Sequence, residues 1–223
     1  MDHSTPSFLP YQGLQYSPQE QEIRASEFLE FMQKRRSVRQ FSNRAIDKAL
    51  ITSLLQTAAS APSGANRQPY TFCAVSSAKI KKKIREAAEK EEFINYHGRM
   101  DEQWMDDLKP LGTDWHKPYL ETAPWLIVVF RKSFELEESG KHQNYYVHES
   151  VGIACGFLLT AIHHAGLVTL THTPSPMHFL HRILKRPENE KPYLIIPIGY
   201  PAENAQVPCL SKKEPEAYIS WYH

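Results

Sequence analysis

Glycine is scarce in this chain: nine of 223 residues, with no Gly-x-Gly anywhere. That excludes the dinucleotide-binding fingerprint and the kinase glycine loop, and no Walker A sequence is present. A bound phosphate would need some other grip than a glycine loop. Cysteine is scarcer, with Cys73, Cys155 and Cys209 far apart and in no Cys-x-x-Cys pair. A disulfide framework or a cysteine-rich zinc site is therefore not expected, and the thiols fit a reducing compartment. The longest apolar run is "APWLIVVF", residues 123–130, far short of the roughly 18 residues that cross a bilayer. The first residues have no basic stretch followed by an apolar core, so no signal peptide is expected. Neither Gly-x-Ser-x-Gly nor His-Glu-x-x-His occurs. Charge of one sign is also missing: 26 basic residues stand against 25 acidic ones, unlike a nucleic-acid-coating protein. The expectation is a cytoplasmic protein with no nucleic-acid or membrane partner, whose anion sites are local.

What is present reads as a single domain over 1–223. Ser17-Pro18-Gln19-Glu20 forms a capping-box start, and Ile23, Phe28, Leu29 and Met32 make an apolar stripe running up to Arg35. A second helix spans 47–60, with Leu50, Ile51, Leu54, Leu55 and Ala58 on one face. Further helices are expected over 79–100, over 145–165 (ending at Gly166) and over 177–184. Strands are expected over 70–76, 125–131, 168–173 and 193–199, too far apart to pair as hairpins. The span 101–117 is polar, carries tryptophans and shows no clean period. One sheet packed with helices follows, in an α+β or α/β arrangement.

Three stretches carry candidate chemistry. "RRSVRQF" puts Arg35, Arg36, Ser37 and Arg39 within five residues. Guanidinium groups grip phosphate oxygens in pairs, and a serine hydroxyl with nearby amides completes a cradle. The same cluster also suits a solvated helix C-terminus, which the helix dipole favours. "PSGANRQPY", residues 62–70, offers small residues and free amides that a flat ring can approach, or is a plain helix-to-strand connection. "TLTHTP", residues 169–174, ends a strand in hydroxyls at a loop, a common place for ligand contacts as well as for ordinary termination. The 11 histidines form no metal-ligand set with carboxylates at helical spacing, so no metal is expected.

In combination these stretches resemble the flavin-dependent nitroreductase superfamily, and within it the iodotyrosine deiodinases. The narrower resemblance rests on "EEFINYHGRM" (91–100), "DWHKPYLETAP" (114–124), "GLVTLTHTP" (166–174) and "PIGYP" (197–201), and covers roughly 27–213. It implies an α+β fold with a central, mostly antiparallel sheet flanked by helices, in an intertwined homodimer that binds FMN between its subunits. Arg35, Arg36, Ser37, Arg39 and Lys212 would hold the FMN phosphate, with Lys212 a weaker contact than the arginine often found there. Ser63, Gly64, Thr171, His172 and Thr173 would lie along the flavin. Thr173 matches the family's contact to flavin N5, where a hydroxyl favours stepwise single-electron transfer over hydride chemistry.

The resemblance also assigns substrate-binding residues. Glu92 would take an ammonium, Lys117 a carboxylate, and Tyr96 would add a hydrogen bond. The spacing of Glu92 and Tyr96, four apart, puts them on one helix face. The amide of Ala65 would receive a phenolate oxygen, 101–117 would be an active-site lid, and 201–223 an extended tail. The implied activity is FMN-dependent reductive dehalogenation of a halotyrosine, iodotyrosine giving tyrosine and iodide, with a separate electron-donating reductase. The alternative is a general NAD(P)H-dependent nitroreductase or flavin reductase of the same fold, against which the Glu92–Tyr96–Lys117 set argues.

Overall fold

The computed structural model describes residues 7–223. The chain forms two compact units, one ending at Arg35 and the other Arg36–His223, where the sequence suggested one domain. In the first unit, α1 (Pro18–Gln33) starts as expected. The Ser17 hydroxyl accepts from the Glu20 amide at 3.2 Å, and the Glu20 carboxylate accepts from the Ser17 amide at 2.9 Å. No residue of α1 is buried, and its stripe residues Ile23, Phe28 and Leu29 are more than half exposed.

The second unit contains helices α2 (Lys48–Ala59), α3 (Ala78–Ile94), α4 (Glu102–Leu108), α5 (Tyr119–Thr122), α6 (Val147–His164) and α7 (His178–Ile183). Its strands are β1 (Tyr70–Val75), β2 (Trp125–Lys132), β3 (Phe134–Glu137), β4 (Gly140–Gln143), β5 (Val168–Thr169) and β6 (Glu190–Gly199). The main sheet has the order β1-β2-β6-β5, and every pairing is antiparallel. Strand periodicity divides β2 between two cores. Leu126, Val128 and Phe130 face α3, α5 and α7 with Ile84, Leu120 and Leu180. Ile127 and Val129 face α2 and α6 with Ile51, Leu54, Val151 and Leu158. Burial on both faces is why "WLIVVF" reads as an unbroken apolar run. No described helix is long and apolar enough to cross a membrane.

Three expectations needed correction. The strand expected over 168–173 is a ladder only at β5, followed by a single bridge between His172 and Ile195. The hairpin β3–β4 was not expected; its segments "FELE" and "GKHQ" contain no β-branched residue and are largely exposed, so the usual strand signal is absent. The aperiodic 101–117 span contains α4, capped by Asp101, whose side chain accepts from the Trp104 amide at 2.8 Å. Trp104 and Leu108, with Met100 just before the span, make a stripe at four-residue spacing only three members long.

The basic motif does not end a helix. α1 stops at Gln33, and the segment from Arg36 runs along the edge of the sheet. Ser37 pairs with Thr169, Val38 donates to the Thr169 carbonyl at 3.1 Å, and Ser42 donates to the Tyr200 carbonyl at 2.9 Å. For Arg36 to Arg39 the helix-dipole explanation therefore falls away.

Candidate active site

The π-helical turn Asn95–Arg99 that continues α3 carries Tyr96, and Glu92 sits one turn earlier. Both line a cavity of about 210 Å³ with Arg39, Lys117, Tyr119, Thr171, His172 and Thr173. Met100, and Trp104 and Leu108 from the 101–117 span, supply an apolar side. Glu92 and Lys117 are buried, with the ammonium 3.8 Å from the carboxylate. Lys117 also donates to the Thr113 hydroxyl at 3.2 Å and to the Asp114 carbonyl, while the Tyr96 hydroxyl donates to the Thr113 carbonyl at 3.3 Å. The Lys117 ammonium, the Glu92 carboxylate and the Tyr96 phenol thus converge on one cavity from two segments.

Burial sets the electrostatics. It pushes the Glu92 carboxyl up from the ordinary glutamate range, and Lys117 only partly offsets this. It pushes the Lys117 ammonium down, against the opposing pull of Glu92 and then Asp114. Tyr96 is pushed up by burial and next by the Glu92 charge. Each charged form is thus costly in place, and a ligand bearing both signs would relieve both costs.

The Thr171–Thr173 stretch alternates as a strand does: His172 is buried, and Thr171 and Thr173 are exposed toward the cavity. The His172 backbone exchanges two hydrogen bonds of 2.9 Å with Ile195. Its Nδ1 lies 3.3 Å from the Tyr119 hydroxyl, and its Nε2 is buried with no partner among the described residues. Burial, then Lys117 and Arg39, holds the imidazole pKa down to about 3, so it is neutral at physiological pH.

A second cavity of about 300 Å³ is lined by Ser37, Arg39 and Gln40 on one side, 110–112 on another and 206–208 on a third. Arg39 lines both cavities, so one guanidinium joins them. The other expected phosphate ligands are elsewhere engaged or open. Arg36 donates to the Pro208 carbonyl, Lys212 is exposed in the tail, and Arg35 closes the first unit with its amide on the Met32 carbonyl at 3.1 Å.

Ser63, Gly64 and Ala65 line neither cavity. Gly64 and Ala65 begin a 3₁₀ turn, Gly64–Asn66, that Ser63 leads into, and the Gly64 amide donates to the Ser150 hydroxyl of α6 at 3.2 Å. A Cβ at Gly64 would come within 2.9 Å of both the Tyr145 carbonyl and the Tyr146 ring, so the turn needs a glycine there. Ala65 itself holds φ 48°, a left-handed geometry that non-glycine residues rarely adopt.

Sequence reasoning missed Tyr119, Asn95 and Glu89. Tyr119 is buried against His172, and Asn95 donates to the Ser175 carbonyl at 3.0 Å, tying the helical turn to the loop after Thr173. Glu89 accepts from the Lys117 amide at 2.8 Å. Only Glu89 carried a signal, since it lies three residues before Glu92 and shares its face. Tyr119 and Asn95 depend on contacts 53 and 80 residues away, which no local pattern encodes.

Residues 32–200 match the nitroreductase family. A protein of Haliscomenobacter hydrossis named iodotyrosine deiodinase is 59% identical over 218 residues, 97% of this chain and 98% of that one. The human protein named iodotyrosine deiodinase 1 is 44% identical, over 92% of this chain and 72% of that one. A crystal structure of oxidized iodotyrosine deiodinase bound to FMN and 3-iodo-L-tyrosine superposes with a TM-score of 0.74 at 28% identity, covering 86% of this chain and 99% of that one. The chain belongs to the nitroreductase family, in its iodotyrosine deiodinase branch.

Proposed function

We propose that this protein is a flavin-dependent oxidoreductase that reductively dehalogenates halotyrosines, iodotyrosine first among them. The carbon–iodine bond is exchanged for carbon–hydrogen, consuming two electrons and one proton and releasing iodide. The observation that carries this is the buried ion pair of Glu92 and Lys117, 3.8 Å apart in the lining of the cavity, whose two charges a zwitterion can each take over. A zwitterion inserted there satisfies both: its ammonium meets Glu92, its carboxylate meets Lys117, and Tyr96 adds a hydrogen bond. A general nitroreductase has no task for such a pair, because nitroaromatics and quinones lack the amino-acid end.

FMN fits the donor set. Arg39 borders both cavities and the Ser37 hydroxyl is exposed beside it, which suits a phosphate; the Thr171 and Thr173 hydroxyls open on the other side. Arg36 and Lys212 would add positive charge. When bound, FMN supplies the reducing electrons one at a time, a chemistry that a Thr173 hydroxyl near the flavin favours. With no dinucleotide-binding motif in the chain, a separate reductase would deliver the electrons.

The site is proposed to be completed by a second copy in a homodimer. Ser63, Gly64 and Ala65 lie on the α6 side of the sheet, and α6 leaves Ile153, Gly156 and Phe157 outward and exposed. A partner seated on that face would present its own 63–65 turn, bringing the Ala65 amide to the substrate phenolate. The 101–117 span would act as a lid whose Trp104 and Leu108, with the adjoining Met100, exclude water over the ring. Three free cysteines suit a cytoplasmic setting.

The test is direct. Purified protein offered FMN should turn yellow and retain it. After anaerobic reduction with dithionite it should convert 3-iodo-L-tyrosine to tyrosine and one equivalent of iodide. A colourless protein that takes up no FMN, or a loaded one that releases no iodide, would sink the reading.

A further inference from the structure

Lys117 has a second attachment besides its ammonium. Its backbone N–H donates to the Glu89 carboxylate at 2.8 Å. Pro118 follows and Leu120 N donates back to the Lys117 carbonyl at 3.0 Å, so Lys117 sits at the entry to α5, where amides have no helical acceptor. Glu89 is itself held: Arg85 lies 2.6 Å away, and the same guanidinium reaches the Glu121 carboxylate of α5 at 2.6 Å. Lys81, buried on the same stripe, donates to the carbonyls of Glu121 at 2.9 Å and Ala123 at 2.6 Å. Residues 81, 85, 89 and 92 follow one another at four, four and three, so a single face of α3 holds both ends of α5 and presents Glu92.

We propose that Glu89 is a positioning residue for amino-acid recognition: by holding the Lys117 main chain onto the helix that carries Glu92, it sets the separation between ammonium and carboxylate. The proposal rests on the zwitterion reading of Glu92 and Lys117. Lys117 has a flexible four-carbon stem, so without a fixed backbone its ammonium would sample many positions over the cavity. A carboxylate on its N–H removes that freedom at the base of the side chain. Arg85 keeps the carboxylate aimed, and burial of the Glu89 side chain to 14% exposure makes the contact more than a surface ion pair. Glu89 lines neither cavity, so its route to the ligand is indirect, through the Lys117 main chain.

The experiment compares two ligands on FMN-loaded, oxidised protein by flavin fluorescence quenching. One is 3-iodo-L-tyrosine; the other is 2-iodophenol, the same ring without the amino-acid end. Glu89→Ala should weaken iodotyrosine about tenfold, the scale of a lost charged hydrogen bond, and leave 2-iodophenol within about twofold. Glu89→Gln keeps an acceptor oxygen and should return iodotyrosine to within about threefold of the unmodified protein. Unchanged iodotyrosine affinity in Glu89→Ala, or equal weakening of both ligands, overturns the proposal; the second result would mean general loosening. If Glu89→Ala does not fold, Glu89→Asp, charged but one methylene shorter, takes its place, and normal binding of both ligands by it is equally fatal. Glu92→Gln is the control for the underlying reading. If it leaves iodotyrosine affinity intact, the zwitterion site fails and this proposal goes with it. If it weakens iodotyrosine while Glu89→Ala does not, only the positioning role fails.

Discussion

Helices α3 and α6 flank opposite faces of the same sheet, and each inverts the usual rule of apolar inside and polar outside. α3 buries Lys81 and Glu92 beside the apolar Ile84 and Ala88. α6 buries an ordinary stripe of Val151, Cys155, Leu158 and Ile162, yet leaves Ile153 and Phe157 at 44% and 40% exposed. Buried charge is expensive unless paired, and a helix carries it when geometry at that point matters more than stability. Exposed oil beside an open glycine, Gly156, invites a cover. In the proposed reading α3 holds a ligand and α6 is covered by a second copy, and the two needs become one because residues 63–65 lie on the α6 side.

The largest expected effect comes from breaking the α6 half. Phe157→Glu places a charge in the proposed interface, and should halve the mass seen by sedimentation and abolish FMN retention. A variant that stays dimeric, or a monomer that still binds FMN tightly, would separate α6 from the site. Next in size is the α3 half. Glu92→Gln or Lys117→Gln leaves one buried charge unpaired and should weaken iodotyrosine on the order of 100-fold, the cost of removing one member of a buried pair. The pH dependence sharpens this. Glu92 must be ionised to accept an ammonium, and burial raises its pKa. As pH falls, binding should therefore begin to fail above the pH expected of an ordinary glutamate. Titrations at several pH values should show that acid limb in the unmodified protein and not in Glu92→Gln. The smallest effect tests α3 as a scaffold: Lys81→Met leaves the Glu121 and Ala123 carbonyls without their donor and should cost about 1–3 kcal/mol in denaturant unfolding.

Much of this was legible beforehand, for physical reasons that differ by element. The capping box of α1, the double-faced strand β2 and the end of α6 before Gly166 are local chemistry, and the structure matches them closely. The pairing of Glu92 with Tyr96 followed from helical spacing. The hairpin β3–β4 was missed because its residues have weak strand preference and are fixed by pairing, and helix α4 because its seven residues are too few to show a helical period. The "RRSVR" motif was half legible. Its composition suited an anion grip or a basic helix terminus alike, and the pairing of Ser37 with Thr169 argues against the second for Arg36 to Arg39.

By itself the order of residues determined the types present and their nearest neighbours: a basic cluster without glycines, a carboxylate and a phenol four residues apart, threonines on either side of a histidine. These are consequences of covalent spacing and backbone period, and they survive in any fold. The tertiary structure alone decided which of them meet. Lys117 lies 25 residues beyond Glu92, and 3.8 Å separates their charges only because α5 docks on α3. Burial then shifted both groups away from their ordinary protonation, an effect with no counterpart in an extended chain, where water solvates each charge alone.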